Sequence, residues 1–351
     1  MVHIQILGNL DKGGNFIEDT QKKNFLFSFV ISYTETCEIP GITVAGQNKE
    51  IIKFTPPADA EFLYYGSCKC IKAIPMTPDG KPTPALLTKT ALEVASIPHI
   101  VINSGSKIMP QIPYLETGIK PGKNISLEPA LDRSAVLHAV DYGRIIGRTL
   151  ASLTDCLVIG ESIPGGTTTA LAVLKGLGIN AMVSSSMPQN PIDLKKKVVF
   201  DALKRLGSDD PYEIVSNVGD PMIPLVAGMI SSASQITNVM LAGGTQMAAV
   251  LAFGKSVGFN QNKLAIGTTS YIIEDKSANF VDTITTIADV PILVVNPRLE
   301  HSKIAGLKAF SEGFVKEGAG AGGSMISAIL KTGIDTQTLL ELIEKEYRKI
   351  I

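Results

Sequence analysis

Three glycine-rich stretches hold the residues whose types and spacing could do chemistry. The first reads Gly-Glu-Ser-Ile-Pro-Gly-Gly-Thr-Thr-Thr over residues 160–169, between an apolar run and a helical pattern of small residues. A strand that turns through glycines into a helix leaves backbone N–H groups unpaired at the positive end of the helix dipole. Phosphate binds well there, and threonine hydroxyls add donors. The sequence therefore predicts an anion cradle at Gly165, Gly166, Thr167, Thr168 and Thr169.

Other interpretations of this loop fit its residues less well. A P-loop needs lysine after its second glycine, and Gly166 stands at that position. The dinucleotide fingerprint G-x-G-x-x-G is absent from this loop, and Pro164 occupies the last glycine of the serine-hydrolase pattern G-x-S-x-G. A strand–helix turn that binds nothing stays open as the plain structural alternative.

Two further turns repeat the pattern of strand, glycines and helix. Gly243, Gly244 and Thr245 follow an apolar strand pattern, and residues 316–324, Lys-Glu-Gly-Ala-Gly-Ala-Gly-Gly-Ser, enter a third helical pattern. Ligands bind parallel sheets at the carboxyl ends of the strands, where such turns lie. We therefore expect the three turns to open at one edge of a sheet and to line one site.

The elements that must position these turns alternate between apolar strands and amphipathic helices. This alternation predicts an α/β fold, a doubly wound, mostly parallel sheet with helices on both faces, plus a smaller helical portion that draws on the chain ends. A Rossmann-like domain is expected over residues 24–330, with the terminal segments 1–23 and 331–351 in the smaller portion. Residues 1–23 read as irregular, and 104–131 as a long loop over a site or at a domain junction. Strands are predicted at 24–33, 62–65, 99–103, 157–159, 182–184, 239–242, 264–266 and 292–295, and helices at 84–96, 133–152, 170–177, 192–206, 221–234, 246–253, 303–313 and 336–351.

Composition excludes several classes of function. The formal net charge of −1 offers no general attraction to nucleic acid or to an anionic membrane. No apolar run approaches the roughly 18 residues of a spanning helix, and the first residues lack a signal-peptide pattern. Four cysteines in 351 residues form no disulfide framework, so we expect a cytoplasmic protein. Neither the cysteines nor the four histidines have the spacing of a metal site.

Together, the three turns resemble a known family. Gly160-Glu161, Gly165 and Thr167-Thr168 resemble the G-E-x-x-x-G-x-T-T element of the nicotinate-nucleotide–dimethylbenzimidazole phosphoribosyltransferases. Residues 316–321 resemble the family's G-E-G-[ST]-G-A element, and two weaker elements lie between them in the same order, at 218–228 and 243–249. Residues 38–46, together with the Pro-Gly-Gly-Thr-Thr-Thr form of the first turn, are similar to the archaeal and cyanobacterial branch of that family.

The resemblance implies a reaction and a general base. Members transfer the 5-phosphoribosyl group of nicotinate mononucleotide to a benzimidazole-type base, and the α-ribotide becomes the lower ligand of a cobamide. The family glutamate that takes the N–H proton of the base corresponds to Glu317. Glu161 corresponds to a glutamate at the site, and Gly318 and Gly320 lie in the turn beside the base. No metal or other cofactor is implied, and the partners are small-molecule substrates.

The resemblance also implies a phosphate-binding lysine and a homodimer. Lys197 fits the position of the family's lysine best, and Lys195 and Lys196 stay open as alternatives. The apolar helices within 221–253 could supply the dimer interface, and burial in the core explains them equally well.

The chain departs from the family pattern at several positions. Gly166 stands where the family has asparagine, Ile163 and Pro164 replace a Gly-Ile pair, and Ala242 replaces an aspartate. Lys316 replaces the glycine before the glutamate, and a cation close to Glu317 would lower its pKa. The family's acceptor-binding region finds no match in the N-terminal third, so the acceptor base stays open. Two alternatives to this particular reaction stay open. One is a non-catalytic protein that binds nucleotides or sugar phosphates, and the other is a transferase or hydrolase of nucleotide salvage.

Overall fold

An eight-stranded sheet organises the computed structural model, which describes residues 4–44, 49–71 and 81–350. The strand order is β1-β8-β7-β6-β5-β2-β3-β4, and every neighbouring pair is parallel except β1 with β8. The strands are β1 Ile4–Leu7, β2 Phe25–Ser32, β3 His99–Ser104, β4 Leu115–Glu116, β5 Cys156–Ser162, β6 Asn238–Ala242, β7 Leu264–Thr269 and β8 Ile292–Val295.

Helices cover both faces of this sheet. In chain order they are α1 Leu10–Thr20, α2 Lys49–Ile52, α3 Thr55–Tyr65, α4 Ala85–Val94, α5 Arg133–Ala151, α6 Gly166–Gly176, α7 Ile192–Leu203, α8 Pro211–Val218, α9 Met222–Ala233, α10 Thr245–Val257, α11 Ser270–Ile273, α12 Phe280–Ile287, α13 Ala305–Lys308, α14 Ala321–Thr332 and α15 Thr336–Ile350. Within the described residues, none of them combines the length and the apolar character that crossing a membrane needs.

The strands supply alternate side chains to two separate cores. In β5, Leu157 and Ile159 enter the core beneath α5, α6, α9 and α10, whereas Cys156 and Val158 enter the core beneath α3, α4 and α14. Side chains of a strand alternate between its two faces, and a parallel sheet covered on both faces must be apolar on both. The continuous apolar runs in the sequence are therefore explained, and the doubly wound prediction is confirmed.

The strand order changes direction between β2 and β5. From β2 the chain builds outward through β3 to β4, then returns to the other side of β2 and builds through β5, β6, β7 and β8. The direction in which the chain adds strands therefore reverses between β2 and β5, which makes this pair the topological switch point of the sheet. Ligands of open α/β sheets bind at such a switch point.

Glycines bring α5 and α9 into backbone contact. A Cβ atom on Gly143 would lie 2.1 Å from the carbonyl oxygen of Leu225, and one on Gly228 would lie 2.2 Å from that of Val140. Every residue of α9 is buried within the single chain. Core burial therefore explains this apolar helix, and an interface is not needed to cover it. The homodimer itself stays a prediction.

Several local predictions were wrong. Residues 4–7 and 10–20 form β1 and α1 instead of irregular chain, because β1 pairs with β8 and Gly13 packs closely on Ile6. Residues 62–65 end helix α3, and 182–184 form no strand. Only 305–308 of the predicted helix 303–313 are α-helical, and α8 and α12 were missed. The domain division at residues 24 and 330 stays a prediction, although α15 packs on α4 and β1 belongs to the common sheet.

Replacing Gly143 by alanine is expected to lower the free energy of unfolding by about 3 kcal/mol, because the methyl group forces α5 and α9 apart. Gly14 in α1 is the matched control, since a Cβ atom there meets nothing within 4 Å. Gly14→Ala should stabilise the protein slightly, by up to about 1 kcal/mol. Urea unfolding of the two variants and the wild type measures the difference. Equal midpoints for Gly143→Ala and the wild type would contradict the close contact.

Candidate active site

The three glycine-rich turns meet around one cavity of about 250 Å³ at the carboxyl edge of the sheet. The turns after the neighbouring strands β5 and β6 open at the same edge, and the turn before α14 joins them because Glu317 binds Thr269 at the end of β7. The shared edge expected from the sequence is therefore present. The cavity is lined by Thr43, Val44, Ile51, Thr55, Ala58, Asp59, Ile71, Lys81, Pro82, Thr83, Pro84, Glu161, Ser162, Ile163, Pro164, Gly165, Gly166, Thr167, Ser184, Ser185, Ser186, Gly244, Thr245, Gln246, Ile272, Val315, Glu317, Gly318 and Ala319.

The carboxyl group of Glu317 is fixed by backbone N–H groups at the cavity wall. Its Oε2 accepts a hydrogen bond from the N–H of Thr269 at 3.0 Å, and its Oε1 accepts from the N–H of Gly322 at 3.1 Å and of Gly318 at 3.3 Å. Burial raises its pKa to about 7, although these hydrogen bonds favour the ionised form. Glu317 can therefore accept a proton near neutral pH, and its direction is set by the main chain.

The start of α14 lies almost against the sheet, which makes these bonds possible. A Cβ atom on Gly322 would lie 2.3 Å from the carbonyl carbon of Thr268, and one on Gly320 would lie 3.0 Å from the Cα of Gly160. Gly320 has a φ of +70° and does not line the cavity. Its role in the structure is close packing, whereas Gly318 lies at the cavity itself.

Lys316 does not lie against the carboxylate of Glu317. Its Nζ donates to the carbonyl oxygens of Ser185 at 3.0 Å and Met187 at 3.2 Å, and lies 3.3 Å from Oδ2 of Asp275. Neighbouring residues of this turn direct their side chains to different partners. The pKa of Glu317 is raised and not lowered. The ammonium group of Lys316 interacts with Ser185, Met187 and Asp275 instead of with Glu317.

Glu161 is the next-to-last residue of β5, lines the cavity and is only 3% exposed. Burial and, after it, the nearby carboxylates of Asp220, Glu317 and Asp59 together raise its pKa to about 8. Burial also raises the pKa of Asp220 and of Asp59 to about 6. Like charges in a desolvated site cannot all ionise, so Glu161 holds its proton at neutral pH while its neighbours titrate first.

Of the three threonines in the first turn, one faces the cavity and two are buried behind it. Thr167 lines the cavity, whereas Thr168 and Thr169 are fully buried and do not. Thr169 Oγ1 lies 2.6 Å from Oδ2 of Asp220, which joins α6 to the start of α9. Gly165 has a φ of +78°, and a Cβ atom there would lie 2.8 Å from Cβ of Cys37. Glycine is therefore required where the turn crosses the loop after β2.

The second turn contributes a second helix start. Gly244 and Thr245 line the cavity at the beginning of α10, and Gly243 lies just behind them, outside the lining. The Oγ1 of Thr245 accepts from the N–H of Ser184 at 3.2 Å. α6 and α10 therefore both begin at the cavity, and their N-terminal dipole ends favour an anion there.

The three candidate lysines occupy different environments. Lys197 and Lys196 lie on the exposed face of α7, and neither lines the cavity. Lys195 is 1% exposed, and its Nζ donates to the carbonyl oxygen of Ser184 at 2.8 Å. Burial and, after it, the charge of Lys316 together lower its pKa to about 7. Of the three, only Lys195 is directed at a residue of the cavity wall.

Two parts of the wall were missed by the sequence reasoning. Asp59 on α3 accepts hydrogen bonds from Thr83 at 2.6 Å and from Ser162 at 2.7 Å, and residues 184–186 form one side of the cavity. The run Ser-Ser-Ser at 184–186 was a usable signal, because it follows β5 and α6, which carry the first glycine-rich turn. No sequence signal pointed to Asp59. Among the described residues, no group of three or more His, Cys, Asp or Glu side chains could hold a metal ion.

The raised pKa of Glu161 predicts how stability depends on pH. The folded state holds this proton up to about pH 8, whereas the unfolded chain releases it near 4.5, so stability falls as pH rises between these values. Glutamine does not titrate, so Glu161→Gln removes the free-energy cost of holding or ionising a buried carboxyl group as pH rises. The variant should be more stable than the wild type at pH 8 by on the order of 3 kcal/mol, with little difference at pH 4.5. Urea unfolding against pH measures this, with the exposed Glu312→Gln as control. Parallel curves for wild type and Glu161→Gln would contradict it.

Known proteins are similar to this chain in sequence. A phosphoribosyltransferase family model matches residues 92–265, which include the first two turns and stop before Glu317. A UPF0284 protein of Archaeoglobus fulgidus is 47% identical over 340 residues, covering 97% of this chain and 98% of that protein. A UPF0284 protein of Sulfolobus acidocaldarius is 45% identical over 346 residues, covering 96% and 100%.

A solved structure shows the same fold at low sequence identity. The nicotinate-nucleotide–dimethylbenzimidazole phosphoribosyltransferase of Thermus thermophilus superposes with a TM-score of 0.63 at 16% identity, covering 99% of this chain and 95% of that one. A second Thermus thermophilus structure gives 0.59, also at 16% identity, covering 97% and 93%. The resemblance inferred from the three turns is confirmed. The chain belongs to the UPF0284 family, and about half of it, residues 92–265, is similar to the phosphoribosyltransferase family model.

Proposed function

We propose that the protein transfers the 5-phosphoribosyl group of nicotinate mononucleotide to a benzimidazole-type base, with Glu317 as the general base. The observation that carries this proposal is the position of Glu317. Its carboxylate is held by three backbone N–H groups at one wall of a cavity where the helices α6 and α10 also begin. A fixed base and the starts of two helices, which can bind an anion, thus share one cavity.

The proposed reaction forms one bond, breaks one bond and moves one proton. A ring nitrogen of the base attacks C1′ of the ribose with inversion, while the other ring nitrogen gives its proton to Glu317. The bond from C1′ to the nicotinate nitrogen breaks, and its electron pair neutralises the pyridinium ring as nicotinate leaves. A base whose pKa lies near the working pH is the most effective, and that of Glu317 is about 7.

Glu161 has a different role because its proton stays in place. With a pKa of about 8 it is mostly neutral at pH 7, so it can donate a hydrogen bond to a ribose hydroxyl. A neutral Glu161 also avoids repulsion between two buried carboxylates when Glu317 is ionised. Two carboxyl groups with separated pKa values can in this way do different work in one site.

The donor phosphate is assigned to the helix-start side of the cavity. Thr167 at α6 and Thr245 at α10 line that side, and Lys195 adds positive charge behind the carbonyl oxygen of Ser184. We therefore favour Lys195 over Lys197 as the lysine that acts on the phosphate. Lys197 lies exposed on α7, where water screens its charge.

The acceptor is assigned to the apolar part of the cavity wall. Ile51, Ala58, Pro82 and Pro84 line the cavity there, and all come from the N-terminal third of the chain. Apolar walls with a few fixed polar groups suit a flat aromatic ring. This part of the wall supports an aromatic acceptor and supplies the region that the sequence motifs could not match.

Replacing Glu317 by glutamine should lower kcat by about 100-fold or more, because an amide cannot take the acceptor's proton. Binding of nicotinate mononucleotide should survive, since glutamine keeps the size of the side chain. Nicotinate release with and without a benzimidazole acceptor measures turnover, and calorimetry measures binding. Glu312→Gln, an exposed glutamate nearby in the chain, is the control and should behave as wild type.

The outcomes of this experiment separate the alternatives. Unchanged turnover in Glu317→Gln would remove it as the base. Nicotinate release that needs no acceptor would identify a hydrolase. Binding by the wild type without turnover on any azole acceptor would identify a non-catalytic binding protein.

The pH dependence of kcat/KM provides a second, independent check. The rate should rise as pH passes about 7, where Glu317 loses its proton, and fall above about 8, where Glu161 loses its proton. Glu161→Gln cannot ionise, so it should keep the rise and lose the fall. Steady-state assays between pH 5.5 and about 9 resolve both limbs. An alkaline fall that persists unchanged in Glu161→Gln would show that another group causes it.

A further inference from the structure

Segment 184–187, which forms the serine side of the cavity, is held from behind through all four of its carbonyl oxygens. Ser184 accepts from Nζ of Lys195 at 2.8 Å, and Ser186 accepts from the N–H of Val315 at 3.0 Å. The two remaining carbonyl oxygens, of Ser185 and Met187, both accept from Nζ of Lys316. The position of this wall therefore depends on groups that lie behind the cavity.

Lys316 and Asp275 form a buried ion pair at this place. Their charged atoms lie 3.3 Å apart, and their side chains are 8% and 7% exposed. Asp275 Oδ2 also accepts from the hydroxyl of Ser184 at 2.5 Å, and its Oδ1 accepts from the N–H of Ser277 at 2.9 Å. Asp275 thus anchors one end of the segment, while Lys316 anchors its middle and its far end.

The pair is independent of the way in which Glu317 is held. The carboxyl group of Glu317 is bound by Thr269, Gly318 and Gly322, none of which contacts the side chain of Lys316. The backbone of residue 316 is fixed separately, because its carbonyl oxygen accepts from the hydroxyl of Thr269 at 2.6 Å. Loss of the Lys316 charge should therefore move the wall and leave the proposed base in place.

We propose that Lys316 and Asp275 are positioning residues, which together hold segment 184–187 where the sugar-phosphate part of the donor binds. The inference rests on the proposed function, since it assigns that part of the donor to this wall. Neither residue lines the cavity, so both act through the segment and not by touching the substrate.

Two variants separate positioning from simple stabilisation. Lys316→Met leaves Asp275 buried without its cation, which is strongly destabilising. In Lys316→Met/Asp275→Asn both charges are gone and the shapes are nearly kept, so most of the thermal stability should return. Lys89→Met is the matched control, because Lys89 is equally buried, pairs with Glu93, and lies in α4.

Three measurements are made on each variant: thermal unfolding, hydrogen exchange of peptides that contain 184–187, and steady-state kinetics. In the double variant we expect faster exchange in 184–187, a KM for nicotinate mononucleotide raised about tenfold, and kcat within about threefold of wild type. Lys89→Met should lose stability with no change in KM or in exchange at 184–187.

The inference is overturned if the double variant regains stability and shows wild-type exchange and wild-type KM, because the pair would then be structural only. Failure of the proposed function looks different. A wild type that neither binds nor turns over nicotinate mononucleotide would refute that function. Exchange at 184–187 would still decide whether the pair positions the segment, and unchanged exchange in the double variant would reject it.

Discussion

The close approach of α14 to the sheet is the contact on which the rest of the site depends. Cβ atoms on Gly322 and Gly323 would each lie 2.3 Å from atoms of the neighbouring strands, so no side chain can separate helix from sheet. At this distance the N–H of Thr269 in β7 reaches the carboxyl group of Glu317. A methyl group between them would remove that hydrogen bond and with it the direction of the carboxylate.

A balance of charges follows from this packing. Glu161, Asp59 and Glu317 line one cavity, and burial raises the pKa of each. The helices α6 and α10 begin at the same cavity, with their positive dipole ends toward it. A cavity that combines proton-binding carboxyl groups with anion-binding helix starts suits a reaction between an anionic donor and an acceptor that gives up a proton.

Much of the framework could be predicted because it depends on local patterns. Runs such as Leu157–Ile159 are apolar on both faces, as a strand covered by helices on both sides requires, and the glycine turns mark where strands pass into helices. The failures are also physical. Residues 62–65 are aromatic and apolar like a strand, yet they end a buried helix. α1 contains two adjacent glycines that weaken a helix, and Gly13 is there because it packs against Ile6.

The sequence by itself determined the order of the three turns, the glutamate in the last of them and the family to which they belong. Spacing along the chain is enough for this, because a turn and the helix after it are local. Only the tertiary structure decided that Lys316 points away from Glu317, that Lys195 and not Lys197 reaches the wall, and that Asp59 joins the cavity. Side-chain direction, burial and pKa are set by residues distant in sequence, and no local pattern records them.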